Sequence, residues 1–277
     1  MRARAVTGGI HGRIKSTLGA ALLAPLFFAA GCGGEGGGGT GEESGLAETH
    51  LATWSHAGAD GPDEWASLDP AYATCGTGER QSPIDIVGAK RRPFPPVELD
   101  YAPVRATLID NGHAIEAELE DSGSSARIGG DEFTLEQFHF HMPAEEVVGG
   151  KSFAASIHLV HLDEDGGAAV VGLLVEPGPE NPVIERLAEE VPEETDEPVE
   201  VEGELDLAGL VPDGDAFRYE GSLTTPPCTE GITWTVFEDP VTMSPEQLEA
   251  FAGAYDANAR PVQARNGREI SVGPGLG

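Results

Sequence analysis

The sequence predicts one mainly β domain with short peripheral helices, and three observations favour this class. The 277 residues contain 38 glycines and 21 prolines, which favour turns and short strands over long helices. Apolar and polar residues alternate over several stretches, as in strands with one buried face. Helical signals are confined to short segments in the second half of the chain.

Five segments alternate like half-buried strands. A sixth segment, Ala168–Val175, is continuously apolar and is predicted to be a strand buried on both faces. Helices are predicted over Pro182–Glu190, with Asn181 as the cap, and over Ser244–Tyr255, which begins with a capping box to Gln247. The half-buried strands are Val104–Ile109, His113–Leu119, Phe133–His141, Ser156–Leu162 and Thr233–Phe237.

The amino-terminal part differs in composition, so the predicted domain spans residues 49–277. Residues 1–31 join a basic stretch to the apolar run Leu18–Ala30, which is typical of an export signal and short for a membrane span. Residues 32–48 are rich in glycine and are predicted to form a flexible linker. Cys32 follows small residues, as at a bacterial lipoprotein cleavage site, and is a candidate lipid anchor. The predicted location is therefore the periplasm, or a bacterial membrane surface to which the lipid tethers the domain.

The charge excludes one large class of partner. Asp and Glu number 48 against 16 Lys and Arg, which gives a net charge of -32. A nucleic-acid partner is excluded because phosphate binding needs a basic footprint. The carboxylates form either a solvated, self-repelling surface or an adaptation to high salt, in which screening relieves the repulsion.

Three histidines are predicted to gather on one face of the sheet. His139 and His141 alternate along a strand and therefore point the same way. A turn at Gly149–Gly150 would form a hairpin that brings His158 opposite His141, in a register that is approximate because the connection contains Pro143 and could bulge. Three imidazoles on one face suit a zinc ion with an open fourth position, and a polar stripe is the alternative. His161 falls on the opposite face and is not expected to be a ligand.

The predicted domain contains two cysteines, Cys75 and Cys228. Export would place them in an oxidising compartment, where a disulfide between them is allowed. Two unpaired, buried thiols are the alternative.

Five motifs together resemble those of the α-carbonic anhydrases, in an order and spacing that agree from about Trp54 to Ile270. The resemblance implies a large, central, mostly antiparallel twisted sheet. It also implies a lyase that reversibly hydrates carbon dioxide to bicarbonate and a proton, acting as a monomer or homodimer. The motifs are Gln81–Ile86, Asn111–His113, Phe138–His141, Ser156–His161 and Gly221–Cys228.

The resemblance implies that Zn²⁺ is bound by His139, His141 and His158, with zinc hydroxide as the nucleophile. Thr224 is implied to accept a hydrogen bond from this hydroxide. Glu145 is implied to accept the Thr224 hydroxyl proton in turn, which leaves the threonine oxygen as an acceptor and orients the hydroxide.

The resemblance also implies a proton shuttle and an apolar pocket. His113 matches the shuttle, since an imidazole can accept and release protons near neutral pH. Carbon dioxide carries no charge, so an apolar wall beside the metal suits it. Cys75 and Cys228 match the disulfide positions of extracellular members. The implied pocket residues are Val160, Val170, Leu223, Thr225 and Trp234.

The supports of the three ligands are predicted separately. Gln137 shares a face with the first histidine and is expected to accept its remaining N–H. The resemblance implies that the backbone carbonyl of Asn258 supports the second. The third normally has a glutamate two residues before it, where this chain has Ser156, so zinc is expected to bind more weakly or exchange faster. Two further departures are His56 and Met142, where the family usually has tyrosine and tryptophan.

Three other functions stay open at this stage. The chain could be a non-catalytic relative that serves as a binding module, another zinc hydrolase such as an esterase, or an exported small-molecule binder. Non-catalytic relatives typically lose a zinc histidine, and all three are present here.

Overall fold

The computed structural model describes residues 51–277, except for residues 121, 194 and 254–256. The predicted export signal, the linker and the candidate lipid site Cys32 lie outside the described residues. Backbone contacts group Thr49–Gly277 into one compact unit. Over the described ranges, no helix is both long and apolar enough to cross a bilayer.

Short helices and many strands make up the described chain. The helices are α1 (Trp65–Leu68), α2 (Thr74–Thr77), α3 (Pro182–Ala188) and α4 (Pro245–Ala252), with 3-10 turns at Gly58–Asp60, Pro70–Tyr72 and Leu207–Leu210. The strands are β1 (Asp85–Ile86), β2 (Lys90–Arg91), β3 (Glu98–Asp100), β4 (Ala106–Asp110), β5 (Ile115–Leu119), β6 (Ser125–Ile128), β7 (Asp131–His141), β8 (Val147–Val148), β9 (Ala155–Leu162), β10 (Ala168–Pro177), β11 (Val199–Glu200), β12 (Asp215–Ser222), β13 (Glu230–Phe237), β14 (Val241–Met243) and β15 (Ser271–Pro274).

One large sheet organises the domain. Its strands lie in the order β11-β4-β5-β7-β9-β10-β13-β12-β15-β2, with β3, β6 and β14 paired to its side and β1 paired with β8 separately. Strands β7, β9 and β10 are successive antiparallel neighbours near its centre, whereas β10 and β13 run parallel. The predicted class, mainly β with a large and mostly antiparallel sheet, is confirmed.

The predicted strands and helices are present, with ends that differ by a few residues. Strand β5 begins at Ile115 rather than His113, because the Asn111 side chain accepts two successive backbone N–H groups and holds the preceding residues in a turn. Helix α4 has the predicted capping box between Ser244 and Gln247.

The two ligand-bearing strands pair in a register different from the predicted one. Both glycines of Gly149–Gly150 have positive φ and form the expected turn. His158, however, lies opposite His139, whereas the predicted hairpin placed it opposite His141. The predicted register was therefore wrong by two residues.

The connection between these strands explains the shift. Backbone hydrogen bonds join Ala144 to Phe153, and join Val148 to Lys151. Between these two pairs the first limb contains three residues, Glu145–Val147, while the second limb contains one. The surplus of two residues shifts the pairing of β7 with β9 by two positions. It also leaves Glu145 and Glu146 outside the regular pairing.

Alternate residues of β7 face two different layers. Phe138 and Phe140 are buried in the larger hydrophobic core. His139 and His141 point to the other face, where His158 packs edge-on against Trp234 of the smaller core. The histidine cluster therefore lies on the smaller-core side of the sheet.

His161 is a buried imidazole on the larger-core side. Its Nε2 lies 2.5 Å from the Tyr101 hydroxyl, and burial lowers its pKa to about 4. Between pH of about 6.5 and about 4, the unfolded chain protonates this imidazole while the folded protein keeps it neutral. Stability is therefore lost as the pH falls through this window.

The variant His161→Gln is expected to remove about 3 kcal/mol of this pH dependence. Urea unfolding near neutral pH and near the acid end of the window measures the difference. Tyr101→Phe, which keeps the imidazole, should retain the pH dependence of the wild type. Equal pH dependence in the wild type and His161→Gln would contradict this account.

Candidate metal centre

Three histidines on β7 and β9 form the candidate metal centre. One ring nitrogen from each lies within 4.8 Å of the others. The ring centroids of His139 are 5.0 Å from His141 and 5.3 Å from His158, and the last two are 4.6 Å apart. The structure thus brings together the three residues that the sequence singled out.

The first two rings are held by acceptors behind them. His139 Nδ1 lies 2.8 Å from Gln137 Oε1, and His141 Nδ1 lies 2.9 Å from the backbone oxygen of Asn258. An acceptor at Nδ1 places the proton there and leaves Nε2 with a lone pair for the cluster. Asn258 is itself fixed, because its side-chain amide donates to the carbonyl of Phe140.

The third ring is oriented by a residue that the sequence analysis did not identify. His158 Nε2 lies 2.7 Å from Glu146 Oε1, and both side chains are buried. The Oγ of Ser156, the expected support, is 3.5 Å from the same nitrogen and accepts the backbone N–H of Glu145. Weaker zinc binding was expected because Ser156 replaces the carboxylate that usually supports the third ligand. That reasoning assumed that no other carboxylate contacts His158, and the contact with Glu146 shows that this assumption is wrong.

The donor set fits a zinc ion. Burial lowers the pKa of His139 and of His141 more than any other effect does. Both imidazoles are therefore neutral and offer a lone pair. His141 Nε2 is buried and has no hydrogen-bond partner among the described residues, as expected for an atom whose partner is a metal. Three imidazoles with an open fourth position are one of the ligand sets of catalytic zinc sites.

Glu145 and Thr224 lie beside the cluster, and both are buried. Glu145 Oε1 accepts the backbone N–H of Arg260 at 2.8 Å and lies 3.7 Å from His141 Nδ1. Burial raises the pKa of Glu145 to about 7, against the lowering effects of His158, the Arg260 N–H and the Thr224 hydroxyl. Glu145 Oε2 is buried and has no hydrogen-bond partner among the described residues.

Arg260 is a buried cation that the sequence analysis missed. Its guanidinium donates to Gln81 Oε1 at 2.9 Å, to the Ser82 carbonyl at 2.8 Å and to the Cys75 carbonyl at 3.0 Å. Its backbone N–H binds Glu145. Arg260 therefore joins the amino-terminal segment of the domain to the floor of the site.

An apolar wall lies beside the histidines on the same face. Trp234 packs edge-on against His158, with ring centroids 4.8 Å apart. Val160 lies opposite Val170 across β9 and β10, and Val170 lies opposite Trp234 across β10 and β13. Thr225 lies in the turn after β12, where its carbonyl accepts a backbone N–H. The predicted pocket residues that belong to the smaller core or pack against it are Val160, Val170, Leu223 and Trp234.

His113 lies at the end of the Asn111–Gly112 turn and is half-buried. Its ring stacks on Trp54, with centroids 3.7 Å apart and planes 8° apart. Burial lowers the pKa of His113, against an opposing effect of Asp110. His56 contacts the same tryptophan edge-on, and burial lowers its pKa to about 3, so it stays neutral at neutral pH.

Cys75 and Cys228 form a disulfide with an S–S distance of 2.07 Å. The bond closes a separation of 153 residues. It joins α2 to the segment that carries Thr224, and it packs with Trp65 and Tyr72 in a small separate core. The covalent link therefore supports one edge of the site.

Comparison with known proteins agrees with this geometry. A family model described as eukaryotic-type carbonic anhydrase matches residues 60–273. A curated carbonic anhydrase from Klebsiella pneumoniae is 40% identical over 220 residues, which cover 78% of this chain and 89% of that protein.

Solved structures agree as well. The α-carbonic anhydrase from Thermovibrio ammonificans, solved with the inhibitor sulfanilamide, has a TM-score of 0.77 at 40% identity, over 79% of this chain and 99% of that one. A hyperthermostable carbonic anhydrase from a hydrothermal vent chimney has a TM-score of 0.76 at 37% identity, over 79% of this chain and 99% of that one. The chain therefore belongs to the α-carbonic anhydrase family and is an enzyme of that class, a lyase.

Proposed function

We propose that this chain catalyses the zinc-dependent, reversible hydration of carbon dioxide to bicarbonate and a proton. The proposal is carried by the cluster of His139, His141 and His158, in which an acceptor holds one nitrogen of each ring. Zinc bound there would act as a Lewis acid and lower the pKa of a coordinated water, as in known carbonic anhydrases, so that hydroxide is available at neutral pH.

Thr224 and Glu145 orient the nucleophile. The Glu145 carboxylate accepts a hydrogen bond from the Thr224 hydroxyl, which leaves the threonine oxygen only as an acceptor for the O–H of the nucleophile. Held in this way by Thr224, the nucleophile would present its lone pair to the carbon of the substrate. The ionised form of Glu145 that this requires is favoured when a dication lies nearby.

The apolar wall holds the substrate. Carbon dioxide has no charge or hydrogen-bond donor, so a surface of aliphatic and aromatic side chains can bind it without loss of polar contacts. Val160 and Leu223 are partly buried on the same side as the histidines, and they pack against a core that contains the buried Val170 and Trp234. Polar residues at these positions would bind water in place of the substrate.

His113 exports the proton, and its removal gives a specific prediction. His113→Ala is expected to lower kcat by up to about 10²-fold at low buffer concentration, while kcat/KM stays nearly unchanged. The reason is that proton export limits turnover but not the attack on carbon dioxide. Imidazole added as a buffer should restore kcat in stopped-flow assays. An equal loss in kcat/KM, or no rescue by imidazole, would contradict the role.

We also propose that the protein is exported, with residues 1–31 removed and Cys32 carrying lipid. The disulfide supports export, because such bonds persist in oxidising compartments. Mass spectrometry of the mature amino terminus tests the anchor. A lipid-modified Cys32 is the expected result, and a mature chain that begins after Cys32 would contradict it.

Metal analysis tests the proposed function. The purified protein is expected to contain one zinc per chain, to lose hydration activity when a chelator removes the metal, and to regain it when zinc is added. Full activity without metal would contradict the proposal. Ester cleavage without carbon dioxide hydration would favour the other zinc hydrolases instead.

A further inference from the structure

We propose that Glu146 is a positioning residue of the metal centre, whose carboxylate accepts the Nε2–H of His158 and holds its Nδ1 towards the metal. In this arrangement the residue that supports His158 lies in the connection between β7 and β9. Ser156, on the same strand as His158, instead accepts the backbone N–H of Glu145. The inference rests on the proposed function and names the residue that orients its third ligand.

The contact has the geometry of a strong hydrogen bond. Glu146 Oε1 lies 2.7 Å from His158 Nε2, a distance typical of a bond between an N–H donor and a carboxylate. Glu146 is 0% exposed and His158 is 1% exposed. Water therefore does not compete for either group, and a buried carboxylate needs such a donor because its desolvation is costly. Ser156 Oγ, at 3.5 Å from the same nitrogen, is at the outer limit of a hydrogen bond.

The backbone on both sides of Glu146 is fixed. The N–H of Glu145 is bound by Ser156 Oγ at 3.3 Å, so the serine anchors the connection. On the other side, Val147 and Val148 pair with β1. Glu146 is one of the two surplus residues between the paired limbs, which is why it can point inwards next to Glu145.

The surroundings leave space for this carboxylate. Gly172 is the cross-strand partner of His158 on β10, and a Cβ built there would lie 3.7 Å from Glu146 Oε1 and 3.3 Å from Val236. The carboxylate therefore lies over a glycine. Position 156 lies on the same face as His158, so a glutamate there would compete with Glu146 for the same nitrogen. The short side chain of Ser156 leaves that nitrogen to Glu146.

The support also decides which nitrogen serves as the metal ligand. His139 and His141 are bound at Nδ1 and offer Nε2, whereas His158 is bound at Nε2 and offers Nδ1. Loss of the carboxylate would leave this third imidazole free to turn and to change its tautomer. Metal retention should therefore depend on Glu146.

The test compares Glu146→Gln with Ser156→Ala in the full protein. Glu146→Gln keeps the shape of the side chain and removes the charge, and it is expected to speed zinc dissociation into excess chelator by at least about 10-fold. Ser156→Ala should release zinc at nearly the rate of the wild type. Circular dichroism and thermal unfolding of the zinc-free proteins show that the compared variants are folded. Zinc release from Glu146→Gln at the wild-type rate, or faster release from Ser156→Ala than from Glu146→Gln, would overturn the proposal.

A spectroscopic measurement reports on the ligand without depending on activity. The Nε2–H proton of His158 in the zinc-loaded wild type should give a strongly downfield NMR signal that moves in Glu146→Gln and stays in place in Ser156→Ala. Movement only in Ser156→Ala would overturn the proposal. The wild type could hydrate no carbon dioxide while the NMR signal of His158 and the rate of zinc dissociation still depend on Glu146. In that case the proposed function fails and this inference stands. An active wild type whose zinc retention ignores Glu146 overturns this inference alone.

Discussion

Glu145→Gln is expected to lower kcat/KM for carbon dioxide hydration by about 10²-fold. A glutamine amide can donate as well as accept, so it no longer forces the Thr224 hydroxyl to donate inwards. The nucleophile then loses its fixed orientation. Thr224→Ala should give a loss of similar size, and the double variant should lose little more, because the two residues act as a unit.

Two controls make this result specific. Thr224→Ser keeps the hydroxyl and should stay close to the wild type, and the zinc content of every variant should be equal. Stopped-flow hydration at substrate concentrations well below KM measures the ratio. A double variant whose loss equals the product of the two single losses would show that the residues act independently, and would contradict the account.

Removal of the disulfide is expected to give the largest change in stability. The double variant Cys75→Ala/Cys228→Ala should lose about 3–5 kcal/mol of the free energy of unfolding, because the bond constrains a long loop in the unfolded chain. The separation of 153 residues puts this bond among the long loops, for which the effect is greatest. The unfolding midpoint should fall by about 10 °C.

Chemical denaturation of the double variant measures this loss, beside Cys32→Ser as a matched control. The control removes a cysteine outside the described residues and should leave the free energy of unfolding unchanged. The reduced wild type should resemble the double variant. A loss below about 1 kcal/mol would show that the rest of the domain does not need the constraint.

Alternation along the sequence predicts the strands that are long enough to show it, and it misses the shortest ones. Strands β2, β3 and β11 contain two or three residues each, which is too few to show a period of two. Strand β12 was not predicted either, although Phe217, Tyr219 and Gly221 are buried and alternate with the half-buried Arg218 and the exposed Glu220. The guanidinium of Arg218 lies over the ring of Phe94 at 4.2 Å, a contact that depends on tertiary packing and leaves no pattern in the sequence.

Some residues of the site could be predicted from local spacing in the sequence, and others could not. Spacing on one strand predicts that His139 and His141 share a face, because that relation is local. Glu146 could not be identified, since neighbours in an extended chain point to opposite sides and Glu145 already had a role. Its inward direction comes from the surplus residues in the connection, which only the paired backbone reveals. Arg260 was missed because its partners Gln81 and Cys75 lie 179 and 185 residues away.

Stopped-flow hydration of carbon dioxide by the zinc-loaded wild type, beside His141→Ala, tests the central claim most directly. His161→Gln is the matched control, since that histidine lies on the opposite face of the sheet. The wild type and the control should hydrate carbon dioxide orders of magnitude faster than the uncatalysed reaction, and His141→Ala should fall to near the background rate. A wild type no faster than His141→Ala would contradict the account.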